Sequence, residues 1–299
     1  MRLRDLYHND HRIDVPGWQD TAENIDFSRL EGALEYDVCI VGAGFAGIAC
    51  AYHLRKEGFS VALLEQNQVG WGASGRIVKE NPCILRSSFD GHRVLSDYAK
   101  KAVAVTLEIA DKLGVSIKNS DDDNIIENPV EYLLRQANIA FNDGVIIYED
   151  ARVKYICFEG KLIGRLEGQS EGQPEGHCYS LLTDTGKVTA NHVILCTGAY
   201  LGLLDKDVRC LSRPRLVVQE SSNTFIGAYV AENKNGCVQL GETRAGIHFI
   251  QGLGLYGIVD ANLCALALKG MLNGRSSWYQ ALNSIKHKKY FFRRSPYGL

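Results

Sequence analysis

Residues 36–76, YDVCIVGAGFAGIACAYHLRKEGFSVALLEQNQVGWGASGR, decide the fold. They open with a short apolar run, Tyr36 to Val41, of the length and β-branched content of a buried parallel strand. Gly42, Gly44 and Gly47 follow in a G-x-G-x-x-G frame, with Phe45 and Ala46 opening a helical pattern that runs through Leu54 and ends near Gly58. A second apolar strand, Ser60 to Leu64, ends on Glu65 and Gln66. Each glycine has a physical reason in such a βαβ unit. The first permits the tight turn, the second lets backbone approach a pyrophosphate, and the third lets helix pack closely on strand. The pyrophosphate belongs at the helix N-terminus, where free N–H groups and the helix dipole favour an anion. Glu65 stands where a carboxylate accepts from ribose hydroxyls, and its charge disfavours a 2′-phosphate. A glycine-rich turn in an ordinary α/β domain is the alternative, but strand, glycines, helix, strand and acid all occur here in order. The unit reads as dinucleotide-binding, and by itself does not choose between FAD and NAD.

Val69 to Arg76, VGWGASGR, makes that choice. The segment resembles the stretch after the second strand in FAD-dependent oxidoreductases of the D-amino-acid oxidase (DAO) superfamily, closest to the γ-glutamylputrescine oxidase-like branch. The resemblance implies FAD, with Gly72, Ala73, Ser74, Gly75 and Arg76 running alongside the diphosphate and ribityl chain. Small residues leave room for the cofactor there, and Ser74 and Arg76 offer a hydroxyl and a cation. A surface loop is the alternative for this segment.

Further stretches resemble the same family. Pro129, a helix over Val130–Phe141, a strand over Val145–Tyr148 and then Ala151-Arg152-Val153 match a passage whose valine contacts the adenine edge, so Val153 is the candidate; the end of a core strand is the other reading. His192 to Cys196 is a buried strand running into Thr197-Gly198-Ala199-Tyr200. This is similar to the flavoprotein signature in which a strand end returns to the cofactor, which makes Thr197 and Gly198 candidates. Gly252 to Ile258 partly matches the C-terminal flavin motif, with Gly252 and Gly257 in place and Leu255 and Tyr256 departing from it. A helix over 258–272 follows, with an apolar face expected. The family's Asn-Gly-Gly beside the isoalloxazine is Ile77-Val78-Lys79 here, and β-branched side chains occupy space that glycine leaves free.

Between these stretches, apolar residues at helical spacing predict a helix over Asp97–Leu113 with Gly114 as its C-cap. Strands are expected at Tyr155–Phe158 and Leu162–Leu166. Residues 167–177 form a polar hairpin tip, and Cys178–Thr183 pairs with Val188–Ala190 across the turn Asp184-Thr185-Gly186. Leu216–Val218 resembles the start of the family's large substrate sheet, which continues only briefly.

Composition bounds the rest. The 299 residues carry a formal net charge of −2, so neither nucleic acid nor an anionic membrane is an expected partner. Nine cysteines are scattered without zinc spacing, and several sit in apolar segments as small core residues. That usage suits a reducing compartment. With no secretory signal near Met1 and no apolar run of about 18 residues, a cytoplasmic protein without a membrane span is expected. His8, His11, the acidic run Asp121-Asp122-Asp123, the His177-Cys178 pair and the basic stretch 286–294 read as solvated residues, and no metal site is expected.

The resulting architecture is α/β, a doubly wound Rossmann-like FAD-binding domain with a reduced substrate-domain remnant. Residues 1–35 form an N-terminal arm anchored by Trp18 and Leu30. Residues 36–90, 126–205 and 238–284 build the discontinuous FAD domain, 91–125 and 206–237 the remnant, and 285–299 a basic tail. The resemblance implies oxidation of a C–N bond in an amine or amino-acid substrate, hydride passing to flavin N5 and leaving an imine. No residue is assigned a catalytic role, although Arg76 and Tyr256 fall nearest the expected isoalloxazine. A degenerate or truncated family member, which binds FAD or only keeps the fold without turnover, remains the alternative. It rests on Ile77-Val78-Lys79, Leu255 and the short substrate sheet. A nicotinamide-dependent dehydrogenase is a third reading. Shortening that sheet exposes an apolar edge, for which a homo-oligomer or a partner chain is the expected cover.

Overall fold

The computed structural model describes residues 27–76, 83–120, 123–158, 161–162, 178–199, 213–221, 224–233, 235–243, 245–254 and 257–285. Trp18, Ile77-Val78-Lys79, Asp121-Asp122, the tip 167–177, Tyr200, Leu255-Tyr256 and the basic stretch lie outside them.

The first strand, β1 (Gly32–Val41), begins four residues before the apolar run that announces it, because it pairs along its whole length with β10 (Gly186–Leu195). The helix α1 (Phe45–Lys56) and the strand β2 (Val61–Leu64) complete the βαβ unit. Then come α2 (Ala73–Arg76), β3 (Cys83–Ile84), α3 (Ser96–Leu113), β4 (Ile117–Asn119), β5 (Asn124–Ile126) and α4 (Pro129–Asn142). The strand β6 (Ile146–Tyr148) is followed by β7 (Tyr155–Phe158), β8 (Lys161–Leu162) and β9 (Tyr179–Leu182). Beyond β10 lie β11 (Arg213–Ser221), β12 (Thr224–Glu232), β13 (Gln239–Glu242), β14 (His248–Gln251), α5 (Gly257–Leu272) and α6 (Ser277–Asn283).

Strands β6, β2, β1, β10 and β14 lie side by side and parallel, with β13 antiparallel on β14. This is the doubly wound order, in which the sequence reverses direction between β1 and β10 and opens a crevice at the carboxyl ends. β10 divides its free edge. Lys187–Ala190 pairs antiparallel with β9, which leads into β7 and β8, whereas Ile194–Leu195 pairs parallel with β14. The residues read from sequence as two short elements, 188–190 and 192–196, are therefore one strand.

Alternation places Val38, Ile40, Val61 and Leu63 on the face covered by helices, and Cys39, Val41, Ala62 and Leu64 in a second core with Tyr179, Leu181 and Phe249. Both faces are buried, so the strands read as continuous apolar runs. Helix α5 is expected to show one apolar face, but residues 257–265 are buried on every side, between α1, α3 and α6. Gly114 closes α3 in the left-handed conformation with φ 63°, the geometry for which a side chain carries a penalty. Asn128 caps α4 by accepting from Glu131 N–H at 3.1 Å, ahead of Pro129 in the first turn. Arg213–Ser221 and Thr224–Glu232 form a two-stranded hairpin, and β3, β5 and β4 a small separate sheet.

Candidate cofactor site

The glycine frame sits where the physics of the turn requires it. Gly42 has φ 102°, and a Cβ there would lie 2.6 Å from the Cys196 carbonyl oxygen. At Gly47 a Cβ would fall 1.8 Å from the Gly42 carbonyl oxygen, so only glycine lets α1 rest on the turn. At Gly44 it would meet Ser74 Oγ at 2.9 Å. That hydroxyl accepts from Phe45 N–H at 3.2 Å, which brings the 69–76 segment to the N-terminus of α1. Helix α1 has no side-chain cap of its own and no acidic residue in its first turn. Its opening N–H groups, Ala46 among them, thus form an anion-favouring end. Gly257 begins α5 against Phe45, where a Cβ would stand 3.4 Å from the ring, so two helix N-termini meet at this point.

Glu65 follows β2 directly and is buried. Its Oε2 accepts from Ala43 N–H at 2.8 Å and its Oε1 from Asn67 N–H at 3.1 Å. Burial raises its pKa, opposed by the N–H groups of Ala43, Asn67 and Gln66 that favour the anion. Ala151 N–H donates to the Glu65 carbonyl at 2.7 Å, which draws the 150–153 segment, with buried Val153, to the same strand end. A cavity of about 340 Å³ opens beside it, lined by Asn67, Gln68, Trp71, Glu149 and Asp150. Arg76 is 2% exposed and its guanidinium stands 4.8 Å from the centre of the Trp71 ring. Gly72 and Ala73 lead into α2, which holds Gly75 and Arg76.

At the end of β10, Cys196 N–H donates to the Val41 carbonyl at 2.8 Å, and Thr197 follows with Gly198 at φ 53°. Among the described residues the buried Thr197 Oγ1 has no hydrogen-bond partner. The structure therefore brings Gly42, Gly44, Phe45, Gly47, Ser74, Thr197 and Gly257 to the carboxyl edge of β1 and β10, and Glu65 and Val153 to the neighbouring edge of β2. An elongated ligand with a central anion fits this arrangement. The glycine cradle is closed to any Cβ, the helix ends favour a diphosphate, and an orphaned hydroxyl waits beyond the turn. The donor set fits FAD.

Sequence reasoning missed two parts of this neighbourhood. Asp260, in the first turn of α5, accepts from Ser87 Oγ at 2.6 Å and from Ser88 N–H at 3.2 Å, tying the 85–90 segment to the helix. Burial pushes its pKa up to about 6, with the serine bonds opposing. The second part is the β13–β14 hairpin, whose short strands, Gln-Leu-Gly-Glu and His-Phe-Ile-Gln, carry no polar–apolar alternation to announce them. Behind the cradle, Asn262 joins α5 to the other helices: its Oδ1 meets His53 Nε2 at 3.0 Å, and its Nδ2 donates to Thr106 Oγ1 and Tyr132 Oη at 3.2 Å.

A parallel sheet in doubly wound order with a glycine cradle at a helix N-terminus defines the dinucleotide-binding class of α/β protein. Over residues 37–79 the chain carries the pattern of the FAD dependent oxidoreductase (DAO) family, the recognition to which its motifs point. The gamma-glutamylputrescine oxidoreductase of Escherichia coli (strain K12) is 46% identical over 50 residues, which are 17% of this chain and only 12% of that relative's length. Among solved structures, glycine oxidase from Geobacillus kaustophilus aligns with a TM-score of 0.61 at 16% identity, covering 81% of this chain and 95% of that one. L-proline dehydrogenase from P. horikoshii aligns with a TM-score of 0.62 at 12% identity, covering 83% and 96%. At these identities the likeness is one of fold. No helix among the described residues is long and apolar enough to cross a membrane, and they contain no metal-holding cluster of His, Cys, Asp or Glu.

Proposed function

We propose that the chain is an FAD-dependent oxidoreductase that oxidises a C–N bond of a small amine or amino acid. The observation that carries this reading is the glycine turn at the uncapped N-terminus of α1, where a Cβ at Gly42, Gly44 or Gly47 would strike the Cys196 carbonyl oxygen, Ser74 Oγ or the Gly42 carbonyl oxygen. Similarity to the FAD dependent oxidoreductase family over 37–79, and the fold shared with glycine oxidase and proline dehydrogenase, support it.

In this reading α1 receives the diphosphate, with Phe45, Ala46 and Gly47 at its N-terminus and Ser74 beside them. Glu65 takes the ribose hydroxyls, Gln66 and Val153 border the adenosine half, and Gly72 to Arg76 with Thr197, Gly198 and Gly257 border the other half. Bound FAD supplies the two-electron acceptor. The protein's own work is to hold that cofactor and keep water out with the two cores that flank the sheet. The discontinuous domain boundaries drawn from the sequence follow from the same reading.

Anaerobic bleaching of the flavin absorbance by a panel of primary amines and amino acids tests the function. Bleaching by at least one of them is expected. FAD that stays oxidised against the whole panel sinks C–N oxidation and favours the second reading, a cofactor-binding fold without turnover. The replacement of Asn-Gly-Gly by Ile77-Val78-Lys79 is the observation behind that second reading.

A further inference from the structure

Asp260 puts a carboxyl group in the first turn of α5, the helix whose Gly257 meets Phe45 at the start of α1. The side chain is completely buried, and its oxygens accept from the Ser87 hydroxyl and the Ser88 N–H, both neutral donors. Ser88 Oγ in turn accepts from Val238 N–H at 3.0 Å, so the carboxyl is held where three chain segments meet. A buried carboxylate is ordinarily matched by a cation. No ion pair among the described residues involves Asp260.

The elements packed around it bring no compensating charge. Cys83 on the 83–90 segment, Cys237 on the 233–238 turn and Cys264 one turn along α5 feel the charge of Asp260, and burial raises all three thiols. From α1 come Cys50 and His53, the latter bonded to Asn262 and lowered by burial to about 4. The buried residues of α3 include no titratable group. Tyr132 on α4 and Tyr279 on α6 are phenols that burial raises. Asp260 itself changes charge near neutral pH, because burial holds its pKa at about 6. That charge stands beside an anion-favouring place. One helical turn separates Gly257 from Asp260, which sets the carboxyl roughly 10 Å from the start of α1. Phe45, Ile258 and Val259 are buried there, so the field is poorly screened. Two unit charges at that separation, with an effective dielectric constant of about 20, change an affinity about tenfold.

On the reading that the glycine turn receives the diphosphate of FAD, we propose that cofactor binding is linked to a proton at Asp260: the chain takes one up at this carboxyl as the diphosphate docks. The proton comes from the buffer, and no bond of the cofactor is made or broken. Linkage makes the effect reciprocal. The bound anion favours the neutral acid, and an ionised Asp260 loosens the hold of the two helix ends on the anion. Asp260 acts through the field at the start of α5 and α1, without touching the ligand.

The test is calorimetric titration of the cofactor-free chain and of Asp260→Asn with FAD, whose diphosphate diester does not titrate in the range used, at about pH 5 and about pH 8. The unmodified chain is expected to bind FAD about tenfold more weakly at the higher pH, and the variant to lose that difference. The same pH dependence in both proteins overturns the proposal and leaves the FAD reading standing. FAD that binds neither protein at either pH overturns the FAD reading and the proposal with it. Should the variant not fold, the unmodified chain decides alone. Binding heats at about pH 6.5, in two buffers of different ionisation enthalpy, report the protons taken up. Uptake of about half a proton is expected from a tenfold coupling, and heats that show none overturn the proposal.

Discussion

Replacing Asp260 with asparagine should remove one defined part of the pH dependence of stability. The carboxyl group is fully buried, bonded to Ser87 and Ser88, and burial holds its pKa at about 6 against an ordinary 3.8. The folded chain therefore keeps a proton that the unfolded chain loses between those values. The stabilisation from this group is complete below the lower value, falls as pH rises through the interval, and is gone above the upper one. That interval of roughly two pH decades, at about 1.4 kcal/mol each, corresponds to about 3 kcal/mol. His53 and His248 tilt the background the other way, because burial lowers both to about 4 and the unfolded chain takes up their protons first as pH falls below 6.5. The difference between variant and unmodified protein isolates Asp260. The carboxamide of Asp260→Asn still accepts from Ser87 and Ser88 but does not titrate. Urea unfolding of both proteins at about pH 4 and about pH 7 should show the variant gaining up to about 3 kcal/mol relative to the original as pH rises. A difference that stays constant across that range refutes the reasoning.

Two further substitutions probe the scaffold. Gly47→Ala puts a methyl group 1.8 Å from the Gly42 carbonyl oxygen, a contact that only backbone movement relieves, and should cost about 3 kcal/mol or more in urea unfolding. Gly72→Ala meets nothing within 4 Å and should stay within about 0.5 kcal/mol; equal effects would contradict the close-packing account of the cradle. Asn262→Leu leaves His53 Nε2, Thr106 Oγ1 and Tyr132 Oη without their shared partner, and a loss of about 2–4 kcal/mol is expected. A variant as stable as the parent shows that those groups find other partners.

The sequence made the βαβ unit legible because local rules and tertiary demands coincide there. Val38 to Val41 are apolar on both faces since both faces are buried, and Gly42 and Gly47 have no permissible substitute. Gly114 was readable for the same reason, meeting the requirement of its own helix end. Strand β10 was legible only in pieces. Its first half pairs with β9 and its second with β14, so its polar residues Thr189, Asn191 and His192 break the pattern where its environment changes. Helix α5 misled in the opposite sense, because a helix packed on several sides has no polar face to give its period away. The Asp260–Ser87 bond spans 173 positions, and nothing in local spacing announces it.

Cofactor binding at the cradle is the central claim, and the absorption spectrum of the purified chain tests it most directly, taken before and after denaturation and again after incubation with FAD. Bands near ~375 and ~450 nm that the folded protein carries and releases on unfolding are the predicted result. A colourless protein that also takes up no added FAD would contradict it.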